Sequence, residues 1–419
     1  MPELLFEKQL YFLPGGSRQG GKESFQRQSL LFSKGDGKMK RLTVIISILV
    51  ILLGLTVPGL TMGARPTSVN NNDKPAARAD GSKWRIGYCE SESFITYNKT
   101  LAAIVKGLEE IGWITDLKGF DEAAANGDSR EIWKWLASRE VSPYIEFVDD
   151  GFYKLKDPGF DKEGIMTRLK QQNDIDIMLV MGGAAGVLLS EQRDTNIFVF
   201  AASNAVRSGI IASVEDSGKD NIWAHMDETR FVRQTRAFYD IVKFKKLGIV
   251  YEDSPNARIY SAVNELESLA AEKGFEIVRY HVTEPRTPED YPRYYQEVQA
   301  AYNKLAQQVD AVYVTIASLE SDKLPVLFQP FYDHKIPIFS QLGNIEVENG
   351  ALMTVSVMDE ENIGRFGADN ISKCLHGAKP RDLEQSFQSA PKITLNAEVA
   401  KKLDFKLPFE LLIVVDEVY

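Results

Sequence analysis

Short apolar segments alternate with amphipathic segments along most of this chain, starting at Trp84. Apolar positions spaced three and four residues apart predict helices, and short continuous apolar runs predict buried strands. A helix is predicted over residues 101–111, with Gly112 ending it. In the first half, the predicted strands are 85–89, 144–148, 175–181, 197–201 and a short fifth at 209–212, and helices are predicted at 164–172 and directly after residues 182–186.

The same alternation restarts in the second half. One helical face carries Ile259, Val263, Leu266 and Ala270, and Gly274 is expected to end that helix. The other predicted helices are 231–242, 292–307, 324–334 and 360–376, and the predicted strands are 246–251, 275–280, 311–316, 337–340 and 350–355.

Regular strand–helix alternation implies parallel sheets with helices on both faces, so the predicted fold class is α/β, doubly wound. The chain from Trp84 to Tyr419 is long for a single core, which favours two lobes. The two arrays share no close residue-level repeat, so the expected duplication is one of architecture only.

The N-terminal region has the pattern of a secretion signal. Lys40 and Arg41 precede an uncharged apolar run at 42–57, and Pro58 and small residues follow. The run is shorter than the roughly 20 residues of a membrane helix, although a retained anchor is the alternative. The sequence therefore predicts a mis-assigned start at 1–38, a signal peptide at 39–64, a linker at 65–83 and a periplasmic location.

Charge and cysteine content narrow the choice of partners. The net charge of −10, from 49 basic and 59 acidic residues, argues against nucleic acid, because binding to phosphates relies on Lys and Arg. Export would permit a disulfide between Cys89 and Cys374, but nothing local favours pairing, and buried free thiols are expected.

The loops that follow the predicted strands are the candidate site. In open parallel sheets, ligands bind beyond the carboxyl ends of the strands. Small and hydrogen-bonding residues there let backbone amides approach a solute, although each such residue could instead cap the next helix. The candidate ligand-binding residues are Glu90, Ser91, Ser93, Phe94, Gly182, Gly183, Ala184, Ser203, Asn204, Asp253, Ser254, Asn256, Ser318, Glu320, Gln341 and Gly343.

Catalytic patterns are scarce. The four histidines are far apart and lack metal-ligand spacing, so neither a metal nor another cofactor is expected. Glu90 and Glu92, two residues apart on a strand-end loop, could form an acid–base pair, which leaves an exported hydrolase as an alternative. Aromatic residues near the loops (Phe94, Tyr97 and Tyr260) could stack on a ring or pack in the core.

The C-terminal part of the chain resembles a known family. The family's penultimate helix and its exit are matched by Gly364, Arg365, Ala368, Gly377 and Pro380. Its late strand pair is similar to residues 335–339 and 350–352. Asp404 replaces the usual Gly of the closing motif, and the loop after Tyr251 departs from the family's Tyr-Asn-Pro. The closing motif of the ABC-transporter substrate-binding family that includes tryptophan- and tyrosine-binding members is present as Asn396, Ala400, Leu403, Phe405, Leu407 and Pro408.

This resemblance implies a type I periplasmic binding protein, in which three crossing strands join two lobes. The N-terminal lobe would comprise 84–213 and 356–390, and the C-terminal lobe 214–355 and 391–419. The protein would be a monomeric non-enzyme that captures a small solute, an amino acid and in particular an aromatic one, and delivers it to an ABC permease. The alternative is an extracytoplasmic sensor that feeds a signalling receptor.

Overall fold

The computed structural model describes residues 74–125, 128–315, 318–356 and 359–419. The predicted mis-assigned start (1–38), the predicted signal peptide (39–64) and the first part of the predicted linker (65–73) lie outside these residues. Within the described ranges, no helix combines the length and the apolar character that a membrane crossing requires.

The described strands form two sheets. The first is five-stranded with the order β2-β1-β3-β4-β5, and the second is seven-stranded with the order β12-β11-β10-β9-β8-β6-β7. Every described pairing between these strands is parallel except that of β10 with β11. The strands are β1 (Trp84–Glu90), β2 (Ile145–Lys154), β3 (Ile177–Met181), β4 (Asn196–Phe200), β5 (Ile222–Ala224), β6 (Lys246–Tyr251), β7 (Glu276–His281), β8 (Ala311–Val314), β9 (Ile338–Ser340), β10 (Met353–Ser356), β11 (Lys392–Leu395) and β12 (Glu417–Val418).

Helices connect the strands and cover the sheets, which gives the α/β architecture that the alternation predicts. They are α1 (Ile95–Glu110), α2 (Phe120–Ala125), α3 (Ser129–Ala137), α4 (Lys162–Gln171), α5 (Gly183–Leu189), α6 (Arg230–Val242), α7 (Pro255–Tyr260), α8 (Val263–Lys273), α9 (Tyr291–Leu305), α10 (Leu324–Leu327), α11 (Gln329–Asp333), α12 (Asn344–Glu348), α13 (Glu360–Leu375), α14 (Ala397–Lys402) and α15 (Phe409–Val414).

The predicted fifth strand at 209–212 is wrong. Gly209 has a φ of 75°, and the Ile210 N–H donates to the Ala205 carbonyl at 2.9 Å, so these residues form turns. Ile210 and Ile211 are nevertheless buried, which explains the apolar signal. The fifth strand is β5, whose three residues were too few to register as an apolar run.

Two predicted helices are interrupted, and five described helices, α2, α3, α12, α14 and α15, were not predicted. The helix expected through Ile259 and Ala270 divides into α7 and α8, because Ala262 takes a left-handed φ of 53°. The segment 324–334 divides into α10 and α11 at Phe328. The unpredicted α2 and α3 lie between α1 and β2.

Helix α13 packs on α1, beside the first sheet, although it follows β10 of the second sheet. The contact is close, because a Cβ added at Gly364 would lie 2.5 Å from the Ala103 Cβ. Arg365 forms an ion pair with Glu110 at 2.8 Å, and Ile371 lies in the core of the first sheet.

The chain therefore passes between the sheets at three places in its described part, near Met226, Asp359 and Ser389. We call the body around the first sheet, with α13, the first lobe and the body around the second sheet the second lobe. Backbone hydrogen bonds tie two of the connections together, from the Met226 N–H to the Gln385 carbonyl at 2.8 Å and from the Phe387 N–H to the Met226 carbonyl at 3.0 Å.

Both cysteines are buried free thiols, Cys89 in β1 and Cys374 in α13. Burial raises the pKa of the Cys374 thiol to about 12 and also raises that of Cys89, so both stay protonated at neutral pH.

The α1–α13 contact leads to a stability prediction. Gly364→Val should lower the free energy of unfolding by about 2 kcal/mol or more, because the added side chain overlaps Ala103. Lys373→Val, at an exposed position of the same helix, is the matched control and should cost well under about 1 kcal/mol. Urea unfolding followed by tryptophan fluorescence measures both, and equal midpoints for the two variants would contradict the packing argument.

Candidate ligand-binding site

The loop after β1 begins inside the protein and ends at its surface. Glu90 is fully buried and accepts hydrogen bonds from the hydroxyls of Tyr88 at 2.8 Å and Ser129 at 2.6 Å. It also forms an ion pair with Lys154 at 3.1 Å. Two hydroxyls and one cation thus hold the Glu90 carboxylate, and these contacts fix the start of the loop.

Ser91 and Gly182 join the ends of β1 and β3. The Ser91 hydroxyl accepts the Ala185 N–H at 3.0 Å, so Ser91 fixes the first turn of α5. Gly182 has a φ of 89°, and a Cβ there would collide with the Tyr97 hydroxyl and lie 2.7 Å from the Ser91 Oγ. Gly183 and Ala184 follow at the start of α5, and Ala184 is exposed.

The exposed end of the same loop carries charge and one aromatic ring. Lys154 donates to the Ser93 hydroxyl at 2.7 Å, and Lys156 pairs with Glu92. Phe94 precedes α1 and contacts Tyr97 edge to face, with ring centroids 5.4 Å apart. This part of the first lobe offers a half-buried ring and a mixed charge pair.

After β4, the loop is shaped mainly by hydrogen bonds within the protein. The Asn204 side chain accepts the Arg207 N–H at 2.9 Å, and the Ser203 carbonyl accepts from Arg230 at 3.2 Å. Arg207 forms an ion pair with Glu265 of α8 at 2.6 Å. Arg230 and Glu265 belong to the second lobe, so this loop also joins the two lobes.

In the second lobe, Ser254 caps α7 by accepting the Ala257 N–H at 3.1 Å. Asp253 and Asn256 on either side of it are exposed. An open cavity of about 590 Å³ adjoins this loop. It is lined by Glu252, Asp253, Ser254, His281, Val282, Thr283, Arg286 and Glu297.

The remaining predicted residues lie beyond β8 and β9. Ser318 donates a hydrogen bond to Glu284, and Glu320 accepts one from the Tyr295 hydroxyl at 3.1 Å. Gln341 is buried, and its amide donates to the Tyr260 carbonyl at 2.7 Å. The Gly343 N–H donates to the Ser340 hydroxyl at 3.3 Å, within the same turn.

The lobes meet at the ion pair between Arg207 and Glu265, and charged groups of other loops also influence one another across the two lobes. Burial, and then the charges of Glu284 and Glu252, raise the pKa of Tyr260, and Glu92 of the first lobe adds to that effect. Burial likewise raises the pKa of Glu284. The charge of Glu92 raises that pKa further, and the charge of Lys156 of the first lobe lowers it. We call the surface formed by Glu92, Lys156, Tyr260, Glu284 and Tyr291 the interlobe site.

Lys156, Glu284 and Tyr291 of the interlobe site were not among the residues predicted from the sequence. Glu284 follows β7, which is an edge strand, and Tyr291 begins α9. The signal that could have found Glu284 is its position just beyond a strand end, the criterion applied to the other loops. Within the described ranges, no group of three His, Cys, Asp or Glu side chains is arranged to hold a metal ion.

The connections between the lobes also contain charged groups. Arg233 of α6 pairs with Asp227 and donates to the Ser389 carbonyl at 2.8 Å. The Asp359 N–H donates to the Ser389 hydroxyl at 3.2 Å. Burial lowers the pKa of His225 to about 4, so its imidazole is neutral at pH 7, with Nε2 3.2 Å from the Phe387 carbonyl. The three connections are therefore linked side by side.

The chain is similar in sequence to proteins of a known family. The family described as ABC transporter substrate binding protein matches residues 145–419. A tyrosine-binding protein of Clostridioides difficile (strain R20291) is 22% identical over 344 residues, which cover 74% of this chain and 94% of that protein.

Two solved structures share the fold. One is the ABC domain in complex with L-Trp from Streptococcus pneumoniae, with 20% identity, a TM-score of 0.59, and coverage of 81% of this chain and 100% of that one. The other is a conserved domain protein from Vibrio cholerae O1 biovar eltor, with 18% identity and the same TM-score of 0.59 and coverage of 81% and 100%.

The fold is that of a type I periplasmic binding protein, with two α/β lobes built on largely parallel sheets. The chain belongs to the ABC transporter substrate-binding protein family. Members of this family bind small solutes outside the cytoplasm and work with an ABC transporter, and the family and fold are those of binding proteins rather than enzymes.

The turn between β3 and α5 can be tested with adjacent glycines. Gly182→Ala should lower the free energy of unfolding by about 2 kcal/mol, because the left-handed φ and the collision with Tyr97 both oppose a Cβ. Gly183→Ala is the control and should be neutral or slightly stabilising, because its Cβ meets nothing closer than 4.0 Å and Ala favours the helix. Thermal or urea unfolding compares them, and a Gly182→Ala variant as stable as Gly183→Ala would refute this view of the turn.

Proposed function

We propose that this protein captures an amino acid, with tryptophan and tyrosine as the first candidates, and delivers it to an ABC importer. The observation that carries the proposal is the interlobe site, which combines the phenols of Tyr260 and Tyr291 with Glu92, Lys156 and Glu284 from the two lobes. The half-buried ring of Phe94 follows Glu92 by two residues. A relative named for tyrosine binding and a structural neighbour containing L-Trp support this choice of solutes.

Solute capture follows from contacts on both sides of one site. A solute that touches Glu92 or Ser93 of the first lobe and Tyr260 of the second stabilises the conformation in which the two loops are close. The hydrogen-bonded connections near Met226, Asp359 and Ser389 let the lobes move as units while remaining joined. Micromolar affinity would correspond to about −8 kcal/mol, which a few buried polar contacts and one apolar wall can supply.

We infer that the protein is periplasmic, monomeric and not catalytic. The predicted signal peptide supports export. The environment of Glu90 argues against the hydrolase alternative, because its carboxylate accepts from Tyr88 and Ser129 and pairs with Lys154. Glu92, the other member of the suggested acid–base pair, is itself engaged by Lys156.

A solute screen tests the proposal. In a thermal-shift panel of L-amino acids, sugars and nucleosides, L-tryptophan or L-tyrosine should raise the unfolding temperature, because a solute at 100 times its Kd adds about 2.7 kcal/mol of stability. Small-angle scattering on the same samples should show a smaller radius of gyration with the active solute. Sugars serve as the control class, and a response to sugars or nucleosides without any response to amino acids would reject the amino-acid assignment.

A further inference from the structure

Glu284 is a buried carboxylate without a cationic partner. Only 8% of its surface is exposed. It accepts a hydrogen bond from the Ser318 hydroxyl, and no basic side chain of the described residues lies within ion-pairing distance of it. Burying a charge without an opposite charge costs several kcal/mol, so such groups are seldom kept without a function.

The charged groups around Glu284 do not supply the missing cation. Glu252 accepts the Glu284 N–H at 3.3 Å and is paired with Arg286 at 2.7 Å. From the first lobe, Lys156 faces Glu284 but pairs with Glu92, whose negative charge opposes it. Arg286 and Lys156 each form an ion pair with another carboxylate, so the surroundings of Glu284 remain acidic.

A second observation is that two buried polar atoms of the second lobe also lack hydrogen-bond partners among the described residues. The Tyr294 hydroxyl is fully buried and has no hydrogen-bond partner in the described part of the chain. Burial, and then the charge of Glu284, raise the pKa of Tyr294 and that of Tyr260. Gln341, which is bonded to the Tyr260 carbonyl through its amide, keeps a buried side-chain oxygen that lacks a donor among the same residues.

We propose that Glu284 binds the cationic ammonium group of the solute, with Tyr260 and Tyr294 beside it in the second lobe. The cation supplies the opposite charge that Glu284 lacks, and the half-buried Tyr260 presents ring surface to the body of the solute. This inference rests on the proposed function and adds a requirement to it. The solute must carry an amino group that is positively charged at neutral pH.

The experiment compares matched solutes by calorimetry on the full mature protein. L-tryptophan and L-tyrosine carry both an ammonium and a carboxylate. Indole-3-propionate and 3-(4-hydroxyphenyl)propanoate lack the ammonium, and tryptamine and tyramine lack the carboxylate. Wild type should bind each amino acid at least about 30-fold more tightly than its amine-free analogue, because a charged hydrogen bond would be lost in the analogue.

Glu284→Gln provides the second measurement. It should weaken amino-acid binding by about 30-fold or more and leave the amine-free analogues unaffected, since a neutral amide cannot neutralise the ammonium. The unliganded variant should melt at a higher temperature than wild type, because a buried unpaired charge is removed. Glu276→Gln makes the same change at the opposite end of the same lobe's sheet, where Glu276 is exposed at the start of β7, and should alter neither property.

The outcomes separate this inference from the proposed function. If wild type binds the amino acids but Glu284→Gln binds them equally well, or the amine-free analogues bind as tightly, the role of Glu284 is overturned and amino-acid capture stands. If only tryptamine or tyramine binds and Glu284→Gln abolishes that binding, the cation site stands and the amino-acid assignment falls. If no cationic compound binds wild type, the role of Glu284 and the proposed amino-acid capture are both overturned. The comparison of solutes on wild type tests the role of Glu284 even where the variant does not fold.

Discussion

The close contact between α1 and α13 determines how the two lobes can be connected. Gly364 and Gly107 allow these helices to approach, since a Cβ at Gly107 would lie 2.9 Å from the Ala368 Cβ. Because α13 follows β10 of the second sheet, the chain must return to the first lobe to make this contact and then leave again for β11. A second and a third connection therefore exist only because α13 packs where it does, and their hydrogen bonds to the first connection place all three side by side.

That arrangement brings the strand-end loops of both lobes to one site. Most hydroxyl and amide side chains at the strand ends are already used there, because Ser91 holds the start of α5, Ser254 caps α7 and Asn204 closes its own turn. Capping and solute binding thus compete for the same side chains, and capping takes these three. Under the role proposed for Glu284, recognition would depend on a carboxylate that the fold buries without a cation, which is costly in the absence of a solute.

The sequence predicted the elements whose signals are local. Strand β6 has the predicted bounds of 246–251, and α13 ends one residue before the predicted limit. The breaks within the second lobe were not predictable, because Ala262 is a good helix former and only its tertiary surroundings hold it at a φ of 53°. The apolar pair Ile210 and Ile211 led to the wrong prediction of a strand at 209–212. A loop that covers a sheet can be buried as thoroughly as a strand, so its apolar residues give the same signal in the sequence.

The site was predictable by position but not by role. Glu90 was singled out as a strand-end acid, yet Lys154, which neutralises it, becomes its neighbour only through folding. Glu284 occupies an equivalent place after β7 and has no such cation. The role of a carboxylate at the end of a parallel strand is therefore ambiguous in the sequence, because the same residue type can stabilise a loop or bind a solute. What separates the two is the presence of a basic side chain from a distant part of the chain, and in this protein Lys154 lies beside Glu90 whereas Arg286 and Lys156 are each held by another acid.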